Sequence, residues 1–416
     1  MSAANHKTRT LWLTGMLHAF THLYGAALLP LYLLMQHDLK LDSVDQATSF
    51  VTILLISYYL PSYALGVLAD HMSRKKLLVY GLVINALAFV GLAFAPNYGW
   101  VVVCVIIAGI GGSSYHPAAT AMIARLFPQN TGRALGLVGA GSGVGFFLGP
   151  LYTGWRAATV EPMLGAAAWR RPILEIGIVG LIAAGLFAWF ASEETVVAGH
   201  EKKEVPTSQL FPTPALWFFF ILACLFISLR DFDANGVASL SALFLQNTRG
   251  FDTRHAGFAV SALFVGSIVG NPLLSSLSDR KRKRWITLVL GLGSLLIIFL
   301  PYVSPAWMFP YLLLFGFFFL ASFPTIEAAL VQSVPDAVRG RVFGFYVMIT
   351  GTVGALAPWM IGLRMKHIGA AAHEGRSYYG IFATLGGLGL LALAGLPCLH
   401  AIRKREHLDE PRSAFK

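Results

Sequence analysis

Residues 66–76 read GVLADHMSRKK and residues 275–284 read SSLSDRKRKR. Each stretch begins where an apolar segment is ending, places an aspartate (Asp70, Asp279) at the point where that segment stops, and closes on a run of Lys and Arg. A basic run at the end of an apolar segment of about 20 residues is how a membrane-crossing helix marks the side it keeps in the cytoplasm. The same signal occurs between the second and third apolar segments of each half of the chain, which predicts a duplicated helical membrane protein.

The rest of the chain extends this pattern. Apolar segments can be placed at about residues 11–34, 49–69, 77–95, 99–126, 133–154 and 172–191, then at 214–245, 255–277, 285–302, 307–334, 342–363 and 378–401, which makes twelve. A second pair of stretches keeps the same register: His116-Pro117 runs on through Pro128, Arg133 and Gly136 to Pro150, and Phe323-Pro324 through Pro335, Arg341 and Gly344 to Pro358. We therefore expect an all-α membrane protein of two pseudo-symmetric six-helix bundles, residues 1–191 and 214–416, joined by a polar cytoplasmic tether over 192–213. Of the Lys and Arg residues, 21 fall on the side of both termini and 9 on the other, with Arg230 inside a segment. That bias predicts cytoplasmic N- and C-termini in a plasma (inner) membrane. Arg156, Arg170 and Arg171 lie on the outer side, against the bias.

Composition excludes several classes. With 56% hydrophobic and 12% charged residues the chain is too apolar for a soluble protein, and the net charge of +11 sits at segment ends, as a topology signal does and a nucleic-acid surface does not. Cys104, Cys224 and Cys398 lie in apolar runs without disulfide or metal-ligand spacing. There is no nucleophile–base set, phosphate loop or extramembrane domain to suggest an enzyme or a cofactor. The first segment is too long and too polar for a cleaved signal and is expected to remain as a span.

Twelve segments in two halves, the GVLADHMSRKK loop and a glycine ladder in segment five resemble the major facilitator superfamily over nearly the whole chain. The family loop pattern GxLADRxGRK is matched at Gly66, Leu68, Ala69, Asp70, Arg74 and Lys75, with His71 and Ser73 departing from it. The resemblance implies a gating layer of Asp70, Arg74, Arg133, Asp279 and Arg341, and alternating access between the halves. Segment five carries Gly136, Gly141, Gly145, Gly149-Pro150, Thr153 and Gly154, close to the family's antiporter pattern G-x8-G-x3-GP-x2-GG. Glycines four apart leave a flat groove in which another helix can approach to backbone contact, and Pro150 removes a helical hydrogen bond. The pattern implies export. His18-x3-His22-x-Tyr24, Leu29-Pro30, Tyr115-His116-Pro117 and Arg230 together resemble the fosmidomycin-resistance branch, in which an aspartate is usual where His22 stands.

The residues with the strongest claim to chemistry are Arg230, Asp231 and Asp233, in an otherwise apolar segment from about 215 to 245. Charges at such depth cost roughly 2.5 kcal/mol or more and usually face a cavity. Arg230 offers a permanent guanidinium fork for an anionic group. His18 and His22 share a helix face with Tyr24 nearby, and His116 precedes a proline kink; with Arg230 these form the expected substrate-binding set. Asp233, three residues from Arg230, is the preferred proton-coupling carboxylate, followed by Asp231 and Glu327, whereas Glu175 reads as structural. The function expected is a monomeric, proton-coupled exporter of a small anionic or amphipathic compound such as an antibiotic. The alternative is a proton-coupled importer of an organic anion.

Overall fold

The computed structural model of the 416-residue chain describes residues 3–192, 210–278, 281–334 and 338–405, with the side chains of residues 3, 4, 70, 132 and 340 outside the description. Among these residues the chain is helical throughout. The first half comprises α1 (Ala3–Ala26), α2 (Tyr32–Asp38), α3 (Val44–Tyr59), α4 (Ser62–His71), α5 (Arg74–Ala93), α6 (Tyr98–Ser113), α7 (Tyr115–Leu126), α8 (Thr131–Leu164) and α9 (Arg170–Phe190). The second comprises α10 (Pro214–Thr248), α11 (Thr253–Ser278), α12 (Arg282–Phe299), α13 (Met308–Phe315), α14 (Ser322–Val331), α15 (Arg339–Gly354), α16 (Ala357–Ile368), α17 (Tyr379–Leu391) and α18 (Gly395–Arg405).

Eleven described stretches are long and apolar enough to cross a membrane, and one of them, Arg133–Phe190, contains both α8 and α9, so the spans number twelve. Six of the spans are interrupted helices, one, two and four in the first half and ten, eleven and twelve in the second, and of these spans four and ten break at equivalent places of the repeat. Span four breaks at Ser114, just before His116-Pro117, and span ten passes through a π-helical turn at Gly316–Leu320 just before Phe323-Pro324. A proline lacks the donor and crowds the preceding turn, so the helix yields there. Most of the predicted tether, residues 193–209, lies outside the described residues, as does Asp279.

The start of α1, the end of α9, the start of α10 and the end of α18 lie at one end of the molecule, the terminal end. There Arg9 stacks 5.6 Å over Phe190, Ser192 N–H donates to Thr10 Oγ1 at 2.9 Å, and Arg405 stacks 4.7 Å over Phe219. At the opposite, far end, the arginines that run against the charge bias are held in ion pairs. Arg156 and Arg171 both bond Glu175, at 2.9 and 2.6 Å, and Arg170 bonds Asp38 at 2.7 Å. Arg156 and Arg170 are held by acidic partners on neighbouring helices, and Arg171 by Glu175 one turn along its own helix α9.

The two halves meet along two seams, α8 against α11 and α3 against α15–α16. Both tighten toward the far end. On the first seam, Gly139 has nothing within 4 Å of where a Cβ would lie, Gly143 meets Ile268, and Gly154 meets Gly257 backbone to backbone. On the second, Gly344 barely reaches Tyr63, Gly351 lies on the Tyr59 ring, and Gly362 abuts Thr48 and Asp45. Tyr32 and Ser239 share a hydrogen bond of 3.1 Å across the same end. Toward the terminal end the halves part, as the open space beside Gly139 shows.

The glycine ladder packs within the first half. A methyl on Gly141, Gly145 or Gly149 would lie 2.1, 2.0 or 2.8 Å from the carbonyl oxygens of Gly15, Ala19 and Leu23, so α8 and α1 run in backbone contact with a four-residue repeat on both helices. Thr153 Oγ1 extends the seam by donating to Ala27 O at 2.8 Å. Backbone cannot move aside as a side-chain tip can. Gly145→Val is therefore expected to destabilise the protein by about 1–3 kcal/mol, the usual cost of overpacking. The check is a lower melting temperature in detergent, with Gly139→Val, which meets open space, left near wild type.

Candidate functional site in the membrane interior

Two clusters of polar side chains lie deep in the bundle, one in each half. In the first half, α1 turns His18 and His22 to the same side, since residues four apart on a helix are neighbours. Their Nε2 atoms are 3.1 Å apart. The break between α6 and α7 delivers His116 to the same place, with its ring 5.1 Å from that of His18 and 5.6 Å from that of His22. His18 Nδ1 is hydrogen-bonded to the Val138 carbonyl at 2.9 Å, and Tyr115 stacks on the His18 ring at 4.7 Å while its hydroxyl donates to Thr14 O. The His22 ring lies 4.4 Å from Phe146, which stacks on Phe264 of the second half at 4.8 Å.

In the second half, the Arg230 side chain is 1% exposed. Its Nη2 donates to Asp231 Oδ2 at 2.8 Å and to the Tyr346 hydroxyl at 3.1 Å, and its carbon centre sits 3.8 Å over the Phe323 ring. Phe323 is the counterpart of His116 in the repeat, so each half uses the residue before its kink proline to build its cluster. Nε and Nη1 of Arg230 are buried and have no hydrogen-bond partner among the described residues. Glu327, one turn beyond Phe323 on α14, lies within electrostatic reach of both Arg230 and Asp231. Tyr59, from the first half, reaches the same charges. It also joins the clusters, for its ring is 5.0 Å from Tyr58, which is 6.1 Å from His116.

The family model of the Major Facilitator Superfamily matches residues 11–358 and again residues 229–415. The chain belongs to the Major Facilitator Superfamily. It is 27% identical over 317 residues to a multi-drug resistance efflux pump of Streptococcus pneumoniae, covering 74% of this chain and 77% of that one. It is 23% identical over 380 residues to the fosmidomycin resistance protein of Escherichia coli K12, covering 88% and 89%. Its fold is similar to that of a bacterial homologue of the human lysosomal transporter Spinster, solved in an inward-facing, occupied conformation, with a TM-score of 0.72 at 16% identity and full coverage of both chains. This superfamily member is thus a multi-span membrane transporter acting on small molecules, and not an enzyme.

Against this frame two sequence expectations need correction. Asp233 does not share a pocket with Arg230. It is fully buried on the side of α10 that faces α12 and α17, where a methyl on Gly389 would lie 2.5 Å from both Asp233 Oδ2 and Ser294 Oγ, and neither of its oxygens has a partner among the described residues. The long Arg230 stem instead leans round the helix to Asp231, and α10 packs at this level against Gly354 at the break between α15 and α16. Nor does Tyr24 line the histidine cluster. Two residues from His22 it points about 200° away, and it is held inside the first bundle by a hydrogen bond to Ile176 O at 3.1 Å and by the Phe89 ring at 4.2 Å.

Tyr58, Tyr59 and Tyr346 complete the clusters without a motif to mark them, and Tyr115, quoted above only as the neighbour of His116, joins them. Phe323 could have been found from its equivalence to His116. Of the expected gating residues, Arg74 is buried at the start of α5, Arg133 is exposed at the start of α8, and Arg341 is half-buried in the first turn of α15. The Asp70 side chain lies outside the described residues.

Proposed function

We propose that this transporter is a proton-coupled exporter of a small anionic or amphipathic compound, working by alternating access across a plasma membrane with both termini in the cytoplasm. The observation that carries the reading is Arg230: a fully buried guanidinium with two nitrogens lacking a partner among the described residues, set beside carboxylates that can take up protons. Buried donors are nearly always satisfied, and a guanidinium recognises carboxylate, phosphate or phosphonate through paired N–H bonds. Asp231 and Glu327 offer the exchangeable protons. When substrate leaves and Asp231 loses its proton, the Arg230–Asp231 pair reforms; when Asp231 is protonated, the guanidinium is free to hold an anion. Protonation of Asp231 and occupation of Arg230 by an anion both break the same buried pair, which links proton and anion binding, while the direction of transport is read from the relatives and from α8 and not from this pair. His22, His116 and Tyr59 form the opposite wall. The efflux and resistance relatives support export over import, as does the glycine-proline pattern of α8. Asp70, Arg74, Arg133 and Arg341 are proposed to serve the gate, and a single chain to be the working unit.

The test is transport in proteoliposomes of known orientation, loaded with compounds chosen by growth protection of expressing cells. Export coupled to protons predicts substrate accumulation against an opposing pH gradient, and its collapse by a protonophore. Asp231→Asn is expected to remove the dependence on the gradient while some exchange of substrate persists. Accumulation in the same direction as the proton flow would reverse the assignment to import.

A further inference from the structure

The three histidines of the first half have a geometry that anion transport does not call for. We propose that His18, His22 and His116 form a binding site for a divalent first-row transition metal ion of the class imidazole prefers, such as Co2+, Ni2+ or Zn2+. The ligand nitrogens of the three residues all lie within 4.8 Å of one another. Around a tetrahedral ion with metal–nitrogen distances of about 2.0–2.1 Å, ligand nitrogens stand about 3.3 Å apart. The His18 and His22 Nε2 atoms, at 3.1 Å, are already at that spacing. His116 closes the set from the first turn of α7, next to the break at Ser114, where a small shift in the helix moves it inward.

A second observation points the same way. The Val138 carbonyl accepts from His18 Nδ1–H, which leaves Nε2 as the bare nitrogen and aims it at His22. An imidazole whose far N–H is anchored on a backbone carbonyl is the arrangement that metal-binding histidines use to fix tautomer and direction. Tyr115, stacked on the same ring and anchored on Thr14 O, holds that direction. His18 is buried, whereas His22 and His116 are half-buried, so an ion held here keeps an open coordination position on their side. All three ligands are neutral imidazoles. The site itself therefore contributes no charge to neutralise the ion and leaves the fourth position to water or an exchangeable anion, which suits a reversible site better than a structural one.

The experiment uses the full chain, purified in detergent on an affinity tag free of histidine and titrated with Co2+. One equivalent should bind with the intense visible bands of a tetrahedral site, Zn2+ should displace it, and the paramagnetic resonance spectrum of bound Cu2+ should show nitrogen couplings from at least two imidazoles. His18→Gln combined with His116→Gln is expected to weaken Co2+ binding by at least about 100-fold, more than the 10- to 100-fold seen when only a supporting partner is lost. Arg230→Lys, in the other half, should bind the ion like wild type while failing to transport, which separates this site from the anion site. If the double variant does not fold, the Cu2+ spectrum of the wild-type protein decides alone. Absence of saturable binding at one equivalent, a Cu2+ spectrum without imidazole couplings, or a folded double variant that binds Co2+ as tightly as wild type would overturn the site. The last of these would assign the histidines to proton sharing only.

Discussion

Arg230→Lys is expected to reduce transport by at least about ten-fold although the positive charge is kept, since loss of one charge-assisted hydrogen bond is worth about 1.5–3 kcal/mol. The guanidinium does three things at once: it bonds Asp231 and Tyr346 through one nitrogen, sits over the Phe323 ring, and keeps two further N–H-bearing nitrogens without a partner among the described residues. An ammonium is a compact point charge and cannot combine a flat stack with a directed fork. A purely structural ion pair makes a different prediction. If Arg230 and Asp231 served only to neutralise each other, Arg230→Ala would cost about 3–5 kcal/mol by stranding a buried carboxylate. The double change Arg230→Met with Asp231→Asn would then restore both stability and transport. We expect the double variant to be stable and inactive. Detergent melting and proteoliposome transport, measured on the same preparations, separate the two outcomes, and normal transport by the double variant would refute the anion site.

Gly257→Val should abolish turnover while leaving each half folded. A methyl at this position would lie 2.4 Å from the Pro150 carbonyl oxygen and 3.0 Å from the Gly154 Cα, both backbone atoms. Neither can move away, so the halves cannot close at the far end and the conformation described here is lost. The expected consequence is a transporter trapped with that end open. A cysteine at Gly139, on the face of α8 turned to the second half and next to open space, should then be protected from a thiol reagent that labels it in the otherwise wild-type chain. Normal turnover by Gly257→Val would mean that this seam does not need to close during the cycle.

Helix number and the glycine groove of α8 were legible because they depend on periodicities: apolar length and glycines four apart. The histidine cluster was legible only in part. Four-residue spacing put His18 and His22 together, but His116 joins from another span, so no spacing in the sequence signalled a metal-capable trio. Asp233 was misplaced for a related reason. Helical angles treat a side chain as a short spoke, whereas the Arg230 stem is long enough to bend round the helix and choose Asp231 as its partner. The tyrosines of the clusters are common residues in apolar segments, and only tertiary packing shows which of them face inward. Arg156 and Arg170 looked anomalous until Glu175 and Asp38 were placed beside them, since pairing between helices leaves no mark on the sequence, whereas Arg171 and Glu175, four apart on α9, carry a spacing the sequence does show.

The residues before the two kink prolines, His116 and Phe323, occupy equivalent places in a duplicated fold but carry different chemistry. One joins a group of neutral bases; the other supports a permanent cation. The space between the halves is therefore polarised along a line running from one bundle to the other, across the route of transport and not along it. A molecule with a single anionic end has one orientation of lowest energy in such a field, its charged end toward Phe323 and Arg230 and its remainder toward the imidazoles. Discrimination among substrates then falls on how far the uncharged part extends across that gap, so that within a chemical series the length of the tail, more than the identity of the acidic group, should rank the compounds this protein carries.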